Sequence, residues 1–436
     1  MSSVKNVHVF GGGTVAHITN HFALSAPAYG TLAKQVANSA THRFDQCNVK
    51  LELTKMADPK STIDTNQDLL ARITELKRYS CTKVIFMTCA VVDFEPQTLS
   101  ASYDNSDPYA RFETIREIRE FGKYHDRLKT KDIHRLTLDL KPADKIVKHI
   151  RDGRKDIFLC AVKATCGATE QAMYEAGLSL CKKGSVNLVL VNDVKTKRHM
   201  IVTPEEAAYC VTDNRRKAMD EWIDMAWYRS HLTFTQSTVI AGSPVPWNSE
   251  LVPESLRTVV NHCRAKNAYK VFNNATVGHF AVKLDDTTFL TSIRKSNFNH
   301  IDKFGLVKVV TSGPDTVLAY GAKPSVGGQY QRTVFKDHPG MDCIVHFHCP
   351  LRPDAPDQIP VKSQREVECG SHECGKNTSD GLAQFGNLKA VYLKDHGPNI
   401  VFNKNIEPQE VINFIERNFN LEEKTGGYNL GNVTTK

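Results

Sequence analysis

Three consecutive glycines, Gly11, Gly12 and Gly13, constrain the first half of this chain more than any other feature. They follow the β-branched run at residues 7–10, and residues 29–37 behind them have the periodicity of an amphipathic helix. Glycine lets the backbone approach an anion, and N–H groups of the turn and the helix start point towards it. The spacing Gly11-x-Gly13-x-x-Ala16 also fits a relaxed dinucleotide fingerprint. The pattern leaves two interpretations open, a nucleotide phosphate cradle and a structural tight turn.

Strand and helix signals alternate after this stretch, which is typical of a Rossmann-like, doubly wound parallel sheet. We predict strands at residues 48–53, 83–92, 135–140, 157–162 and 186–191, and helices at residues 66–77, 142–151, 169–181 and 207–228. A charged piece at residues 111–121 also has a helical pattern. In such a sheet, ligands bind at the carboxyl ends of the strands. Polar residues follow those ends or the glycine turn, namely Asn20, Asp93, Lys163 and Asn192.

Composition narrows the class of protein. The 436 residues suffice for two or three domains, and the net charge of +8 is modest, without a dense Lys/Arg block that would indicate nucleic-acid binding. The start lacks an apolar signal core, and no apolar run is long enough to cross a membrane, so we expect a cytoplasmic protein with no membrane partner. The 12 cysteines are scattered and are expected to be reduced.

Four motifs, in order, resemble the phosphopantothenoylcysteine synthetase family over roughly residues 5–230. The motifs are Ile18-Thr19-Asn20-His21, Ala90-Val91-Val92-Asp93-Phe94-Glu95-Pro96, Arg127-Leu128-Lys129-Thr130-Lys131 before an alternating strand, and Val191-Asn192-Asp193-Val194. The family joins a carboxylate to the amine of cysteine, after activating the acid with CTP or ATP and a divalent cation such as Mg²⁺. Such a reaction needs a triphosphate cradle and fixed donors for the acyl intermediate.

The resemblance implies a role for each matching residue. Asn20 corresponds to the asparagine that handles the acyl-nucleotide, and Lys129 or Lys131 to the lysine of a mobile loop. Asp93 and Asn192 would line the nucleotide pocket with the glycine turn, and the strand-end pattern adds Lys163. The chain departs from the family at residues 22–27, at Thr165 in place of a glutamate, and at the insert 97–123. These departures leave the acid substrate open.

A linker composition at residues 231–248 separates a first domain, 1–235, from a second, 250–436. In the second, His346 and His348 stand two apart in a strand pattern, so both imidazoles face one side. His396 ends another strand pattern and precedes Gly397. Three imidazoles suit zinc or a similar divalent metal with an open position for substrate.

The second domain resembles the class II aldolase/adducin family. The matching segments are Phe272-Asn273-Asn274-Ala275-Thr276, Lys323-Pro324-Ser325, His346-x-His348 and His396-Gly397. The resemblance implies an α/β domain with a central antiparallel sheet, and a metal that polarises a carbonyl. The glutamate that acts as base in aldolases would fall at Gly327, so Glu373 is our candidate replacement. Both families assemble, so we expect a homo-oligomer, a dimer or a tetramer.

Two functions remain at this point. The first is a bifunctional enzyme, a nucleotide-dependent acid–amine ligase fused to a zinc-dependent aldolase-like lyase. The alternative is an NAD(P)-binding oxidoreductase with a non-catalytic, adducin-like scaffold domain. Against the alternative, the second strand does not end in an acidic residue, since Glu52 lies inside it.

The ligase interpretation predicts the effect of Asn20→Asp. The two side chains are nearly isosteric, so the fold should persist, whereas the added charge should repel the acyl-phosphate and block amide formation. Pyrophosphate release and amide formation with candidate acids measure this, and circular dichroism controls for folding. Unchanged turnover in the variant would remove Asn20 from the site.

Overall fold

The computed structural model of the protein describes residues 5–19, 21–102, 113–117, 133–325 and 328–430. The chain divides into two compact units. Unit 1 comprises residues 1–165, 180–199 and 212–230, and unit 2 comprises residues 166–179, 200–211 and 231–436. Unit 2 therefore includes two segments from the first half of the sequence.

Strands and short helices alternate through the first 230 residues. The strands are β1 (Lys5–Gly11), β2 (Val15–Thr19), β3 (Phe22–Ser25), β4 (Cys47–Leu53), β5 (Thr82–Met87), β6 (Phe94–Ser102), β7 (Glu113–Glu117), β8 (Arg135–Pro142), β9 (Phe158–Thr165), β10 (Leu188–Asp193), β11 (His199–Val202) and β12 (Ala208–Thr212). The helices are α1 (Thr31–Arg43), α2 (Asn66–Lys77), α3 (Val147–Ile150), α4 (Glu170–Gly184) and α5 (Arg215–Arg229). None of the helices in the described part of the chain has the length and apolar character that a membrane span requires.

The remaining residues are richer in strands. These are β13 (Gln236–Ile240), β14 (Val271–Phe272), β15 (Ala275–Thr276), β16 (His279–Lys283), β17 (Thr288–Ser292), β18 (Leu306–Thr311), β19 (Thr316–Tyr320), β20 (Cys343–His346), β21 (Val361–Lys362), β22 (Ala383–Phe385), β23 (Leu388–Leu393) and β24 (Gly397–Phe402). The helices are α6 (Glu254–Ala265), α7 (Ile301–Phe304), α8 (Gln329–Asp337), α9 (His372–Ser379) and α10 (Pro408–Asn418), with a 3₁₀ helix at Phe298–His300.

Unit 1 is built on parallel strands in the order β4-β1-β5-β9-β10. Helices cover both faces of this sheet. Trp222 of α5 packs edge-on against Phe86 of β5, whereas Arg72 of α2 bonds to Glu52 of β4, which lies on the opposite face. The predicted doubly wound parallel sheet is therefore confirmed.

The glycine turn is filled by the chain itself. Gly11, Gly12 and Gly13 are buried. Gly12 has a φ of 103°, and a Cβ placed there would lie 2.1 Å from Oγ1 of Thr54, so no other residue fits. A Cβ at Gly11 would lie 2.1 Å from the Cβ of Ala33. Because Gly11 has no side chain, α1 can pack directly on the end of β1. The turn is thus required by packing, whether or not it also binds a phosphate.

Several predicted elements differ in the structure. The hairpin of β2 and β3 lies between the glycines and α1, in a segment for which we predicted no strand or helix. The strand predicted at 83–92 ends at Met87, because the following backbone bonds to the turn instead: the N–H of Ala90 donates to the carbonyl of Gly12 at 3.0 Å.

Three predicted helices were also wrong in part, because neighbouring backbone was available for strand pairing. Within the charged piece 111–121, the described residues form β7, which pairs with β6. The helix predicted at 207–228 begins only at Arg215, after β12. The helix predicted at 142–151 is limited to Val147–Ile150, because Pro142 pairs with Phe94 as the end of β8.

Unit 2 is built on one large sheet in the order β13-β19-β18-β17-β16-β20-β24-β23-β21. Its central pairs are antiparallel, as predicted, and only the edge strands β13 and β21 pair in parallel. Alternate residues of each strand enter separate cores on the two faces. In β20, Cys343 and Val345 enter one core, whereas Ile344 enters the other, which includes residues of α8. His346, two residues after Ile344, therefore faces the α8 side of the sheet.

The glycine turn makes a stability prediction. Gly12→Ala combines a positive φ with overlap on Thr54, so we expect it to destabilise unit 1 by about 3 kcal/mol. The control is Gly153→Ala, where φ is also positive but no atom lies within 4 Å, so the cost should be about 1 kcal/mol. Denaturant titration of both variants measures the difference. Equal losses would show that the packing at Gly12 can relax.

Candidate functional site

The structure brings together the three predicted histidines of unit 2. His346 ends β20, His348 follows two residues later, and His396 lies in the turn between β23 and β24. Each offers one ring nitrogen, and these three nitrogens lie within 4.8 Å of one another. The ring centroids are 4.6–4.9 Å apart, and none of the three residues is more than 5% exposed.

A close approach of two backbone segments makes this convergence possible. Gly397 has a φ of 142°, and a Cβ there would lie 2.1 Å from the carbonyl oxygen of Phe347. A larger residue after His396 would push this turn away from the segment that carries His346 and His348. The His-Gly pair in the sequence is therefore one structural unit, in which the glycine brings the histidine to the other two.

Hydrogen bonds fix two of the rings. Nδ1 of His346 lies 2.7 Å from the carbonyl oxygen of Pro398, and because a carbonyl only accepts, this nitrogen carries the proton. Nδ1 of His348 lies 3.0 Å from Oε2 of Glu206 and donates to that carboxylate in the same way. In both rings Nε2 is left with its lone pair, which is the arrangement of metal-ligating histidines with a fixed outer partner.

The remaining nitrogens test whether a metal fits. Among the described residues, Nε2 of His346 and both ring nitrogens of His396 are buried without a hydrogen-bond partner. Buried polar atoms in proteins nearly always have a hydrogen-bond partner or a ligand. These three nitrogens therefore require a partner that the described residues do not supply. Three neutral imidazoles are a common donor set for zinc and related divalent ions. The residues present therefore fit a divalent transition metal.

Burial controls the charge of these rings. It lowers the pKa of His346 and of His396 well below the ordinary value, and the neighbouring histidines lower both further. Unperturbed imidazoles would lose a metal as the pH falls below about 6.5. For His346 and His396 we expect that loss at lower pH, because their lowered pKa keeps these two rings neutral in more acidic solution.

Sequence reasoning missed two neighbours of the cluster. Glu206 lies far away in sequence and only the fold places it beside His348. His279 is paired with His346 across β16 and β20, with ring centroids 4.9 Å apart, and burial lowers its pKa to about 3. We predicted no strand at His279, and its pairing with His346 depends on the register of β16 and β20, which no local pattern gives.

Other predicted site residues of unit 2 lie elsewhere. Glu373, the candidate base, accepts hydrogen bonds from the backbone N–H and the hydroxyl of Thr233, at 3.1 and 2.9 Å, and is not one of the three clustered ligands. Its catalytic role stays a prediction. Gly327, at the usual place of the aldolase glutamate, lies outside the described residues.

In unit 1, the candidate nucleotide residues share one edge of the sheet. Gly11 ends β1, and Lys163 and Asn192 lie near the ends of the parallel strands β9 and β10. The carboxylate of Asp93, beyond β5, forms an ion pair with Lys145, and the amide oxygen of Asn192 lies 2.7 Å from Nδ1 of His199. Asn20, Lys129 and Lys131 lie outside the described residues.

The search of solved structures finds similarity in two parts of the chain. The DNA/pantothenate metabolism flavoprotein from Streptococcus pneumoniae matches 50% of this chain and 95% of its own, with 19% identity and a TM-score of 0.37. The C-terminal domain of the coenzyme A biosynthesis bifunctional protein CoaBC matches 50% of this chain and 90% of its own, with 13% identity and a TM-score of 0.34.

A further part of the chain is similar to L-fuculose 1-phosphate aldolase, over 37% of this chain and 80% of that one, with 15% identity and a TM-score of 0.28. These two groups of structures are of the same kinds as the two sequence resemblances predicted. No family model matches the sequence. No curated protein matches it either.

The buried imidazoles predict how stability depends on pH. The pKa values of His279, His346 and His396 are lowered on folding, so the unfolded chain binds more protons and stability falls as the pH drops below about 6.5. Lowering the pH from 7.5 to 5.5 should reduce the free energy of unfolding by about 1.4 kcal/mol for each ring, and by about 4 kcal/mol for all three.

Denaturant titration of the full chain in the presence of a metal chelator, at both pH values, measures this loss of stability. His346→Asn should reduce it by about a third. The matched control, His300→Asn, alters an exposed histidine of the same unit and should leave the loss unchanged. A pH dependence that His346→Asn does not alter would contradict the assignment of a buried neutral ring.

Proposed function

We propose that the protein is a bifunctional metabolic enzyme, in which unit 2 is a metal-dependent, aldolase-like lyase and unit 1 a nucleotide-dependent acid–amine ligase. The observation that carries the proposal is the convergence of His346, His348 and His396, buried and with their nitrogens within 4.8 Å. The metal expected is zinc or a similar divalent ion.

The residues of the proposed metal centre have different roles. The three histidines would hold the ion, which when bound acts as a Lewis acid towards a carbonyl oxygen of the substrate. The carbonyl of Pro398 and the carboxylate of Glu206 keep the protons of His346 and His348 on Nδ1. Burial lowers the pKa of His346 and of His396, which favours the neutral form of these two rings as ligands.

The candidate base of the lyase reaction is Glu373. The carboxylate of Glu373 accepts two hydrogen bonds from Thr233. To act as the base in place of the usual aldolase glutamate, it must break both of them. The class of reaction proposed is therefore metal-assisted chemistry next to a carbonyl, with carbon–carbon cleavage as the form that the family resemblance implies.

For unit 1 the proposal rests on the four ordered sequence motifs and on the edge of the sheet where Gly11, Lys163 and Asn192 lie. The nucleotide would be CTP or ATP with Mg²⁺, and the acid would be joined to an amine such as that of cysteine. Asn20 and Lys129 or Lys131 keep their proposed roles in this reaction.

The structure gives a reason to prefer this over the NAD(P)-binding oxidoreductase. In dinucleotide-binding sheets, an acidic residue after the second strand of the motif binds the ribose. Glu52, the acidic residue of β4, is instead bonded to Arg72 and His8, which lower its pKa to about 2. Its carboxylate serves the packing of α2 on the sheet.

Metal content tests the proposal directly. The double variant His346→Ala with His348→Ala should lose stoichiometric metal, while nucleotide binding by unit 1 is unchanged. A matched double variant alters His262 and His300, a partly exposed and an exposed histidine of the same unit, and should keep the metal. Elemental analysis after purification without chelator, together with nucleotide titration, measures both. A wild-type protein that carries no metal and takes none up would overturn the lyase assignment.

A further inference from the structure

Glu206 occupies a loop with an unusual backbone. It lies between β11 and β12, in a segment that belongs to unit 2, and has a φ of 62°. This left-handed conformation is unfavourable for a residue with a Cβ, and such residues persist only where the surroundings hold them. Its carboxylate reaches Nδ1 of His348 from this position.

The surroundings hold the loop through buried hydrogen bonds. The carbonyl oxygen of Glu206 accepts from the hydroxyl of Tyr174 and from Nζ of Lys424, each at 2.8 Å. Tyr174 is 0% and Lys424 8% exposed. Within the loop, the N–H of Glu206 donates to the carbonyl of Thr203 at 3.2 Å, and the N–H of Thr203 donates to that of Ala207 at 3.1 Å. The backbone of Glu206 is therefore fixed independently of its side chain.

The carboxylate itself is deeply buried. Glu206 is 3% exposed, and its Oε2 lies 3.0 Å from Nδ1 of His348. A buried carboxylate is costly unless it is paired, so the contact orders both groups. The equivalent partner of His346 is the backbone carbonyl of Pro398, which no side-chain substitution removes. Glu206 is thus the outer partner of this cluster that substitution can test.

We propose that Glu206 is a positioning residue of the metal centre, which holds His348 in the tautomer that directs the lone pair of Nε2 towards His346 and His396. This inference rests on the proposed metal function. It also means that residues 203–207, from the first half of the sequence, supply a group on which the metal centre of the second half depends. The proximity was invisible in sequence, where Glu206 and His348 belong to different predicted domains.

Three variants of the full chain test this role. Glu206→Gln keeps the shape and removes the charge. Glu206→Asn suits the left-handed backbone but is too short to make the same contact. The matched control is Glu416→Gln, which removes a carboxylate–histidine pair of the same unit, between Glu416 and His262 at 2.8 Å.

Affinity for Zn²⁺ or Co²⁺, measured by competition with a chromogenic chelator, should fall about 10–100-fold in Glu206→Asn and less in Glu206→Gln, because an amide oxygen still accepts the Nδ1 proton. The visible spectrum of bound Co²⁺ should keep its ligand-field bands, since the three ligands remain. Glu416→Gln should bind as the wild type does. Affinity within twofold of wild type in a folded Glu206→Asn variant would overturn the proposal.

A second measurement needs no metal. Nitrogen chemical shifts of His348 in the metal-free protein should show the proton on Nδ1 in the wild type and a mixture of tautomers in Glu206→Asn. A merely structural role of Glu206 would leave the tautomer unaltered, and that result would also overturn the proposal. If the wild type binds no metal but shows the Nδ1 tautomer, the metal function fails while the positioning contact stands.

Discussion

The arrangement of unit 2 depends on burying three imidazole rings at one point. A buried neutral ring is stabilised when its N–H has an acceptor, and two of the three rings have one. The acceptors are the carbonyl of Pro398 for His346 and the carboxylate of Glu206 for His348. Strand β24 and the loop of Glu206 therefore satisfy one nitrogen each of His346 and His348, whereas Nε2 of His346 and both nitrogens of His396 have no partner among the described residues.

The sheet register produces this geometry. β20 is paired on one side with β16 and on the other with β24, so His346 lies between His279 and Asn399. Alternation along β20 decides that His346 faces α8 rather than the other core, while Gly397 lets the next turn approach. A slip of one residue in any of these pairings would turn His346 to the opposite face.

Unit 1 combines the glycine turn with the edge of a parallel sheet. Thr54 fills the space that a side chain at Gly12 would occupy, and Ala33 fills the space next to Gly11. Dense packing at this point holds the end of β1 and the start of α1 in fixed positions, which is what a rigid phosphate cradle also requires. The structural turn and the nucleotide cradle are therefore compatible interpretations of the same three residues.

Neither of the two units is one continuous segment of the sequence. Residues 166–179 and 200–211 belong to unit 2, although strand and helix patterns continue through them from the first half. Tyr174 and Glu206 enter the surroundings of the histidine cluster by this route. A composition change along the chain marks where a linker lies, but contacts between distant segments decide which unit a segment joins.

The sequence by itself determined the doubly wound sheet and the three candidate ligands, because periodicity, glycine spacing and the His-x-His pattern are local signals. The antiparallel sheet of the second domain was implied by the family resemblance. The helix over residues 66–77 was predicted with the bounds that the structure shows, since its helical periodicity is a local signal. Only the tertiary structure decided that β7 is a strand, that His279 faces His346 and that Glu206 bonds to His348. Each of these depends on a pairing between distant segments, and the free energy of such a pairing depends on backbone and side chains that no local window contains.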